Sequence, residues 1–363
     1  MSIRNRVMTQ DCVQTDPALR VAPEGPSGAT RDTWNRKAGS LADWRQLWRD
    51  SITDSRELLQ VLELGHLADR LPIEDAGFAL RVPRGFVARM RPGDARDPLL
   101  LQVLPQLAEL ERVPGFVVDA VGDLAAREAQ GVLHKYQGRA LLIASGSCAI
   151  NCRYCFRRHF PYGDEIAAAG QWRQALEHVR QDTSINELIL SGGDPLALAT
   201  GKLEELSQGL AGLTHVTRLR IHTRLPVVLP ERIDTPFVEW LRSLPLQKVV
   251  VLHANHASEF DESVDAACAR LREAGATLLN QSVLLRGIND HAGVLTALSE
   301  RMFAAGVLPY YLHQLDRVQG AAHFEVTDAQ AQSLVEDMRS RLPGYLVPKL
   351  VREVGGDPSK RPL

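Results

Sequence analysis

From about Ala140 onward the chain alternates short apolar runs with longer stretches of helical periodicity, and no other feature restricts its fold as much. The apolar runs fall at Ala140–Ala144, Glu187–Leu190, Val216–Ile221, Lys248–Leu252, Thr277–Leu285 and Leu308–Leu312. The helical patterns cover Gln171–Gln181, Lys202–Leu210, Pro236–Leu244, Glu259–Glu273, His291–Ala305 and Asp328–Arg341. Strands alternating with helices in this way build right-handed βαβ units on a parallel sheet. Six such units are fewer than a closed (β/α)8 barrel needs, so the pattern predicts an α/β fold, a partial (β/α)6 barrel. Functional groups of such a barrel belong at the C-terminal ends of its strands.

Ahead of the barrel the pattern is helical. Leu41, Trp44, Leu47 and Trp48 form one stripe, and Leu58, Leu59, Val61 and Leu62 another. Both tryptophans read as core residues. A further helix is expected over Pro98–Leu110, with Leu99, Leu100, Val103, Leu104 and Leu107. Residues 1–40 are rich in Pro, Gly, Thr, Asp and Arg without apolar periodicity, which predicts loose order. The division is therefore 1–40, a helical N-terminal region 41–130, a barrel 131–345 and a C-terminal segment 346–363.

A net charge of −2 gives no bulk argument for nucleic acid or an anionic membrane as partner. No apolar run approaches the length of a membrane span, and the polar start carries no secretory pattern. Cys12 and Cys268 are isolated, and Cys268 shares a helical stripe with Val264, Ala267 and Leu271, so it reads as a small core residue. These features predict a reducing, cytoplasmic setting.

The other cysteines are concentrated: Cys148-Ala-Ile-Asn-Cys152-Arg-Tyr-Cys155 follows the first barrel strand directly. Thiolates so spaced suit a soft metal centre. On a [4Fe–4S] cluster they leave one iron open to another ligand. A zinc site completed by His159 as Cys₃His is the alternative. The second strand ends in Ser191-Gly192-Gly193-Asp194-Pro195, where two glycines let the backbone approach a ligand closely.

The cysteine triad, with Tyr154 at the aromatic position before the third cysteine, resembles that of the radical S-adenosylmethionine (SAM) superfamily. The resemblance implies a [4Fe–4S] cluster on Cys148, Cys152 and Cys155, its open iron chelated by S-adenosylmethionine. It also implies that the 191–194 element binds the methionine amino group. Cys152–His159, Thr223–Pro230, Asn280–Asp290 and Gly344–Pro348 narrow the likeness to the lysine 2,3-aminomutases, over about Gly131 to the C-terminus. Those enzymes also use pyridoxal 5′-phosphate. Gly355-Gly356-Asp-Pro-Ser-Lys360 matches the stretch that carries their pyridoxal lysine, and Lys135 and Arg139 match positions that hold the cofactor phosphate. Read from position alone, Lys360 is a solvated charge near a chain end.

For the substrate, the resemblance assigns Arg157 to the amino-acid carboxylate, a suitable task for a guanidinium fork. It reads Arg158 as a neighbouring surface or supporting charge. Asp290 and Glu353 match the acids that receive the distal ammonium of L-lysine, although the lysine-degrading enzymes have Asp where Glu353 stands. Without the family match Asp290 reads as a helix cap. No cysteine follows Cys268, so the zinc site that joins subunits in longer relatives is not expected, and any oligomer is not zinc-linked. With Cys155–Tyr162, this resembles the bacterial branch that makes β-lysine, the (R) isomer, for modifying elongation factor P. That branch implies a one-electron reductant and a functional link to elongation factor P and its ligating enzyme. Action on another amino acid and a zinc-stabilised, non-catalytic binding module are the other readings.

Overall fold

Among the described residues, ten strands form one sheet whose spatial order follows the order of the chain. This computed structural model describes residues 43–72, 78–170 and 172–363, so the expectations for residues 1–40, Cys12 and Leu41 lie outside it. An antiparallel hairpin, β1 (Arg127–Ala129) and β2 (Val132–Tyr136), leads into β3 (Arg139–Ser145). Then β4 (Glu187–Gly192), β5 (Arg218–Thr223), β6 (Gln247–Leu252), β7 (Ala276–Val283), β8 (Leu308–His313) and β9 (Lys349–Arg352) extend the sheet in parallel. β10 (Arg361–Pro362) turns back antiparallel on β9.

The six strands expected from the sequence are β3–β8, and the barrel is partial, with β1 and β10 as its edges. The C-terminal segment is not an appendage, because its β9 is a seventh parallel strand.

Two short helices, α1 (Trp44–Arg49) and α2 (Ser55–Val61), open the N-terminal region. Asp43 and Asp54 cap them by accepting backbone N–H groups of the first turn. The crossovers are α3 (Arg173–Gln181), α4 (Thr200–Leu210), α5 (Thr235–Ser243), α6 (Glu262–Glu273), α7 (Ala292–Ala304) and α8 (Asp328–Arg341). Each lies within a few residues of its expected bounds.

Pro98–Leu110 departs from expectation. It is a series of turns ending in a 3₁₀ segment at Leu107–Leu110. Asp97 caps the N–H groups of Leu99 and Leu100, and Pro105 has no N–H to continue a helix. Leu99, Leu100 and Val103 are still buried, whereas Leu107 is exposed.

Alternation within the strands creates two faces. Leu188, Leu190, Leu219, Ile221, Val250 and Leu252 join Leu203, Leu206, Phe237, Leu241, Val264 and Leu271 in the main core beneath the helices. A fully buried side chain of this kind stabilises the fold by about 1.5–3 kcal/mol. Trp44 and Cys268 are buried in this core, and Trp48 packs against it. The opposite face, with Ile189, Ser191, Arg220, His222, Tyr311 and His313, lines a cavity.

Candidate active site

The cavity encloses about 630 Å³. Cys148, Cys152 and Cys155 stand on its wall in the loop after β3. Burial and the neighbouring thiol of Cys152 push Cys155 up to about 11, and burial with Cys155 nearby raises Cys148 as well. No group of three His, Cys, Asp or Glu side chains among the described residues closes on a single metal ion. The ring of His159 lies 3.2 Å from the Gln319 carbonyl. With His159 set against that carbonyl, the three thiols have no fourth ligand for a Cys₃His zinc site, whereas a cluster leaves one iron open on three thiolates, so the donor set fits the cluster better.

The N-terminal region grips this loop. Arg153, between the second and third cysteines, is fully buried and forks onto Glu109 at 2.8 and 2.5 Å. Arg158 reaches the same carboxylate at 2.9 Å and the Gly320 carbonyl at 3.2 Å. Arg158 is thus a buried structural cation rather than a surface charge.

The glycine element docks on the loop from the other side. Gly193 N–H donates to Ser145 O at 2.7 Å, and Asp194 N–H to Ser147 O at 2.8 Å. Gly192 has φ +118°, and a Cβ there would lie 2.6 Å from the Ser145 carbonyl. Only glycine fits that approach. Asp194 accepts from Thr223 Oγ1 at 2.7 Å and from the N–H groups of Arg224, Leu196 and Leu225 at 2.7, 3.0 and 3.2 Å. Burial raises its pKa against these bonds. Its carboxylate ties the end of β4 to the end of β5.

Tyr154 is buried, its hydroxyl 2.6 Å from Asn255 Nδ2, 2.7 Å from Arg224 Nη1 and 3.0 Å from His253 Nε2. Burial lowers His253 and His313 to about 3, so both imidazoles are neutral.

Lys360 is held, not frayed: its side chain is 19% exposed. Its Nζ pairs with Glu353 Oε2 and sits 5.8 Å from the Tyr311 ring centre. Glu353 Oε1 accepts from Lys135 Nζ at 3.0 Å, and Lys135 also pairs with Asp123 Oδ1 at 2.6 Å. Burial would raise Glu353, but the two lysines hold it well below the usual carboxylate range. The Arg139 guanidinium lies 4.6 Å above the Tyr136 ring. With Lys135, Arg220 and Lys360 it gives the cavity a basic lining suited to a phosphate and a reactive amine.

Arg157 Nε bonds Asp123 Oδ2 at 2.6 Å, and its Nη1 bonds Ser191 Oγ at 3.0 Å. Burial opposes its charge, but Asp123 holds its pKa above the ordinary value.

All the cysteines of the triad, Lys135, Arg139, Tyr154, Arg157, Ser191, Gly192, Gly193, Asp194, Glu353 and Lys360 meet in this cavity. Asp290 is not among the residues that line it. Its Oδ1 accepts the Gly287 N–H at 3.0 Å, closing a local turn. A further acid on the wall, besides Asp123, Asp194 and Glu353, is Asp316, just beyond β8. Burial and the nearby Glu353 raise it to about 7, against Lys360 and Lys135. A polar residue directly after a barrel strand was the available signal, and His313-Gln-Leu-Asp316 carries it. No helix among the described residues is long and apolar enough to cross a membrane.

Comparison with known proteins gives the family of the chain. No family model matches the chain. It is 48% identical over 326 residues to an L-lysine 2,3-aminomutase of Escherichia coli, covering 89% of this chain and 95% of that protein. It is 43% identical to that of Haemophilus influenzae (94% and 98% covered) and 31% identical to that of Clostridium subterminale (89% and 79%). Among solved structures, a radical SAM methyltransferase from Sphaerobacter thermophilus aligns with a TM-score of 0.46 at 17% identity, over 61% of this chain and 68% of that one. With these identities spanning most of each aminomutase, the chain belongs to the L-lysine 2,3-aminomutase family.

Proposed function

We propose that the protein converts L-lysine to β-lysine, the (R) isomer, by moving the α-amino group to the neighbouring carbon. The observation that carries this is one cavity lined by three cysteines, a glycine-rich strand end and a held lysine. Cys148, Cys152 and Cys155 would hold a [4Fe–4S] cluster, with S-adenosylmethionine at the open iron beside Ser191–Asp194. Lys360 would carry pyridoxal 5′-phosphate, with Lys135 and Arg139 at its phosphate. When bound, these groups supply the hydrogen abstraction and the π-system that lets nitrogen migrate.

The chain's own side chains position and enclose. Arg157 takes the substrate carboxylate through the part of its fork not tied to Asp123 and Ser191. The distal ammonium goes to Asp316, because both oxygens of Glu353 already serve lysines. Holding the two ends of the substrate fixes which hydrogen faces the cysteine side. Glu353 keeps the Lys360 ammonium in place until it loses its proton. Neutral His253 and His313 line the wall without adding charge.

The elongation factor P reading rests on the resemblance of Cys155–Tyr162 to the bacterial branch that makes β-lysine for that modification. In that reading a one-electron reductant feeds the cluster, and β-lysine passes to the enzyme that ligates it to elongation factor P.

The test is anaerobic. Reconstituted protein receives S-adenosylmethionine, pyridoxal phosphate, reductant and L-lysine, and the products are resolved by chiral chromatography with mass detection. β-Lysine is expected from wild type and is expected to vanish in Cys152→Ala and Lys360→Ala. Untouched lysine with accumulating 5′-deoxyadenosine would remove the substrate assignment and leave the radical chemistry.

A further inference from the structure

Arg224 stands where the cysteine loop, the glycine element and the segment before α6 converge. Its N–H donates to Asp194 Oδ2 at 2.7 Å. Through Nη1 the guanidinium donates to Cys152 Sγ and to Tyr154 Oη, each at 2.7 Å. Through Nη2 it donates to Gln102 Oε1 at 2.6 Å and Glu259 Oε2 at 2.9 Å. Glu259 is fully buried and also accepts from the Asn255 and His256 N–H groups at 2.8 and 3.1 Å. Arg224 cannot swing away without leaving that carboxylate unpaired, which is costly in a buried site. The arginine is therefore fixed with its charge against the sulfur of the middle cysteine.

We propose that Arg224 is a positioning residue that sets the reduction potential of the cluster through its hydrogen bond to Cys152, with Glu259 as the counter-charge that limits the effect. The inference rests on the cluster reading above. Reduction adds one electron, supplied by an external one-electron donor, to a thiolate-ligated centre that is already anionic, and no bond or proton need change. A cation fixed at one of its sulfurs stabilises the reduced form more than the oxidised form. Hydrogen bonds to sulfur, net charge and solvent exposure are the protein's means of setting such potentials. Glu259 carries the opposite charge on the far side of the guanidinium, and it offsets part of the gain.

The two residues therefore act with opposite sign. Glu259→Gln leaves the arginine's charge uncompensated and is expected to raise the midpoint potential. Arg224→Gln combined with Glu259→Gln removes the pair together, avoids a lone buried charge, and is expected to lower it. Arg224→Lys keeps a charge without the fork and should fall between the double variant and wild type.

The experiment uses the full chain, reconstituted anaerobically, assayed for iron and sulfide, then titrated with dithionite and mediators while the reduced cluster is followed by electron paramagnetic resonance. The double variant is expected to reduce with an equilibrium constant about tenfold lower, which for a one-electron couple is about 59 mV. Should it fail to fold, the rise in Glu259→Gln alone still decides.

Unchanged potentials in variants with full cluster content would overturn the proposal, as would a shift of both in the same direction. Weaker S-adenosylmethionine binding at an unchanged potential would also overturn it, making Arg224 a cofactor contact instead. A wild-type protein that takes up no iron would remove the cluster reading and this inference together. That outcome is distinct from a loaded cluster whose potential ignores Arg224.

Discussion

Asp316 carries a charge that the cavity resists. Burial and Glu353 raise it to about 7, above the ordinary 3.8. The folded protein therefore keeps a proton that the unfolded chain gives up between these values, so this residue's contribution to stability falls as pH rises from about 4 to about 7. Asp316→Asn should be more stable than wild type at pH 8, by a margin that vanishes near pH 4 in denaturant titrations. The same variant should bind lysine more weakly by about 30-fold or more, since a buried charge pair is worth about 2–5 kcal/mol. Wild-type affinity should climb through pH 7 as the acid ionises, and the variant should lack that limb. An unchanged KM would return the ammonium to another acid. At this scale the cysteines were legible because their ligating chemistry is packed into eight residues. Asp316 was not, since an aspartate after a strand is ordinary until sheet curvature turns it inward. Asp290 sits in a matching string, and its Oδ1 accepts the nearby Gly287 N–H.

The turns over residues 98–110 show what an element does when it is not regular. Glu109, near their end, serves two buried guanidiniums at once, Arg153 and Arg158. Removing its charge in Glu109→Gln leaves both cations short of a counter-charge, at a cost of about 3–5 kcal/mol. The cysteine loop loses its brace at the same time. Thermal unfolding should drop accordingly, and a reconstituted cluster should lose iron to a chelator faster than in wild type. Equal iron loss would mean that the brace is dispensable for metal retention. Strands and crossover helices were legible because their apolar periods run for several residues. The Pro98–Leu110 helix was misread because its leucines are spaced helically while Pro105 and the Asp97 cap favour turns. β9 escaped notice because Lys349-Leu-Val-Arg352 is too short to show a period.

At the scale of the molecule, the sheet's early and late ends are joined by side chains rather than by a ladder. Lys135 on β2 pairs with Glu353, just past β9, and Glu353 pairs with Lys360, just before β10. Glu353→Gln should loosen both ends together. We expect faster amide exchange in β2 and β10 and reduced pyridoxal content, read from cofactor absorbance after gel filtration. Exchange that stays slow at both would show that the backbone alone holds the curl. The partial barrel was readable from alternation, but this junction was not, because it links residues more than 200 positions apart. The strict chain order of the strands also has a temporal meaning. A ribosome makes the Cys148–Cys155 loop about 200 residues before Lys360, an interval of about 10–40 s at about 5–20 residues per second. During that interval the cysteine loop exists without Glu353 and Lys360, so the side-chain junction that joins the two ends of the sheet is the last part of the cavity to form.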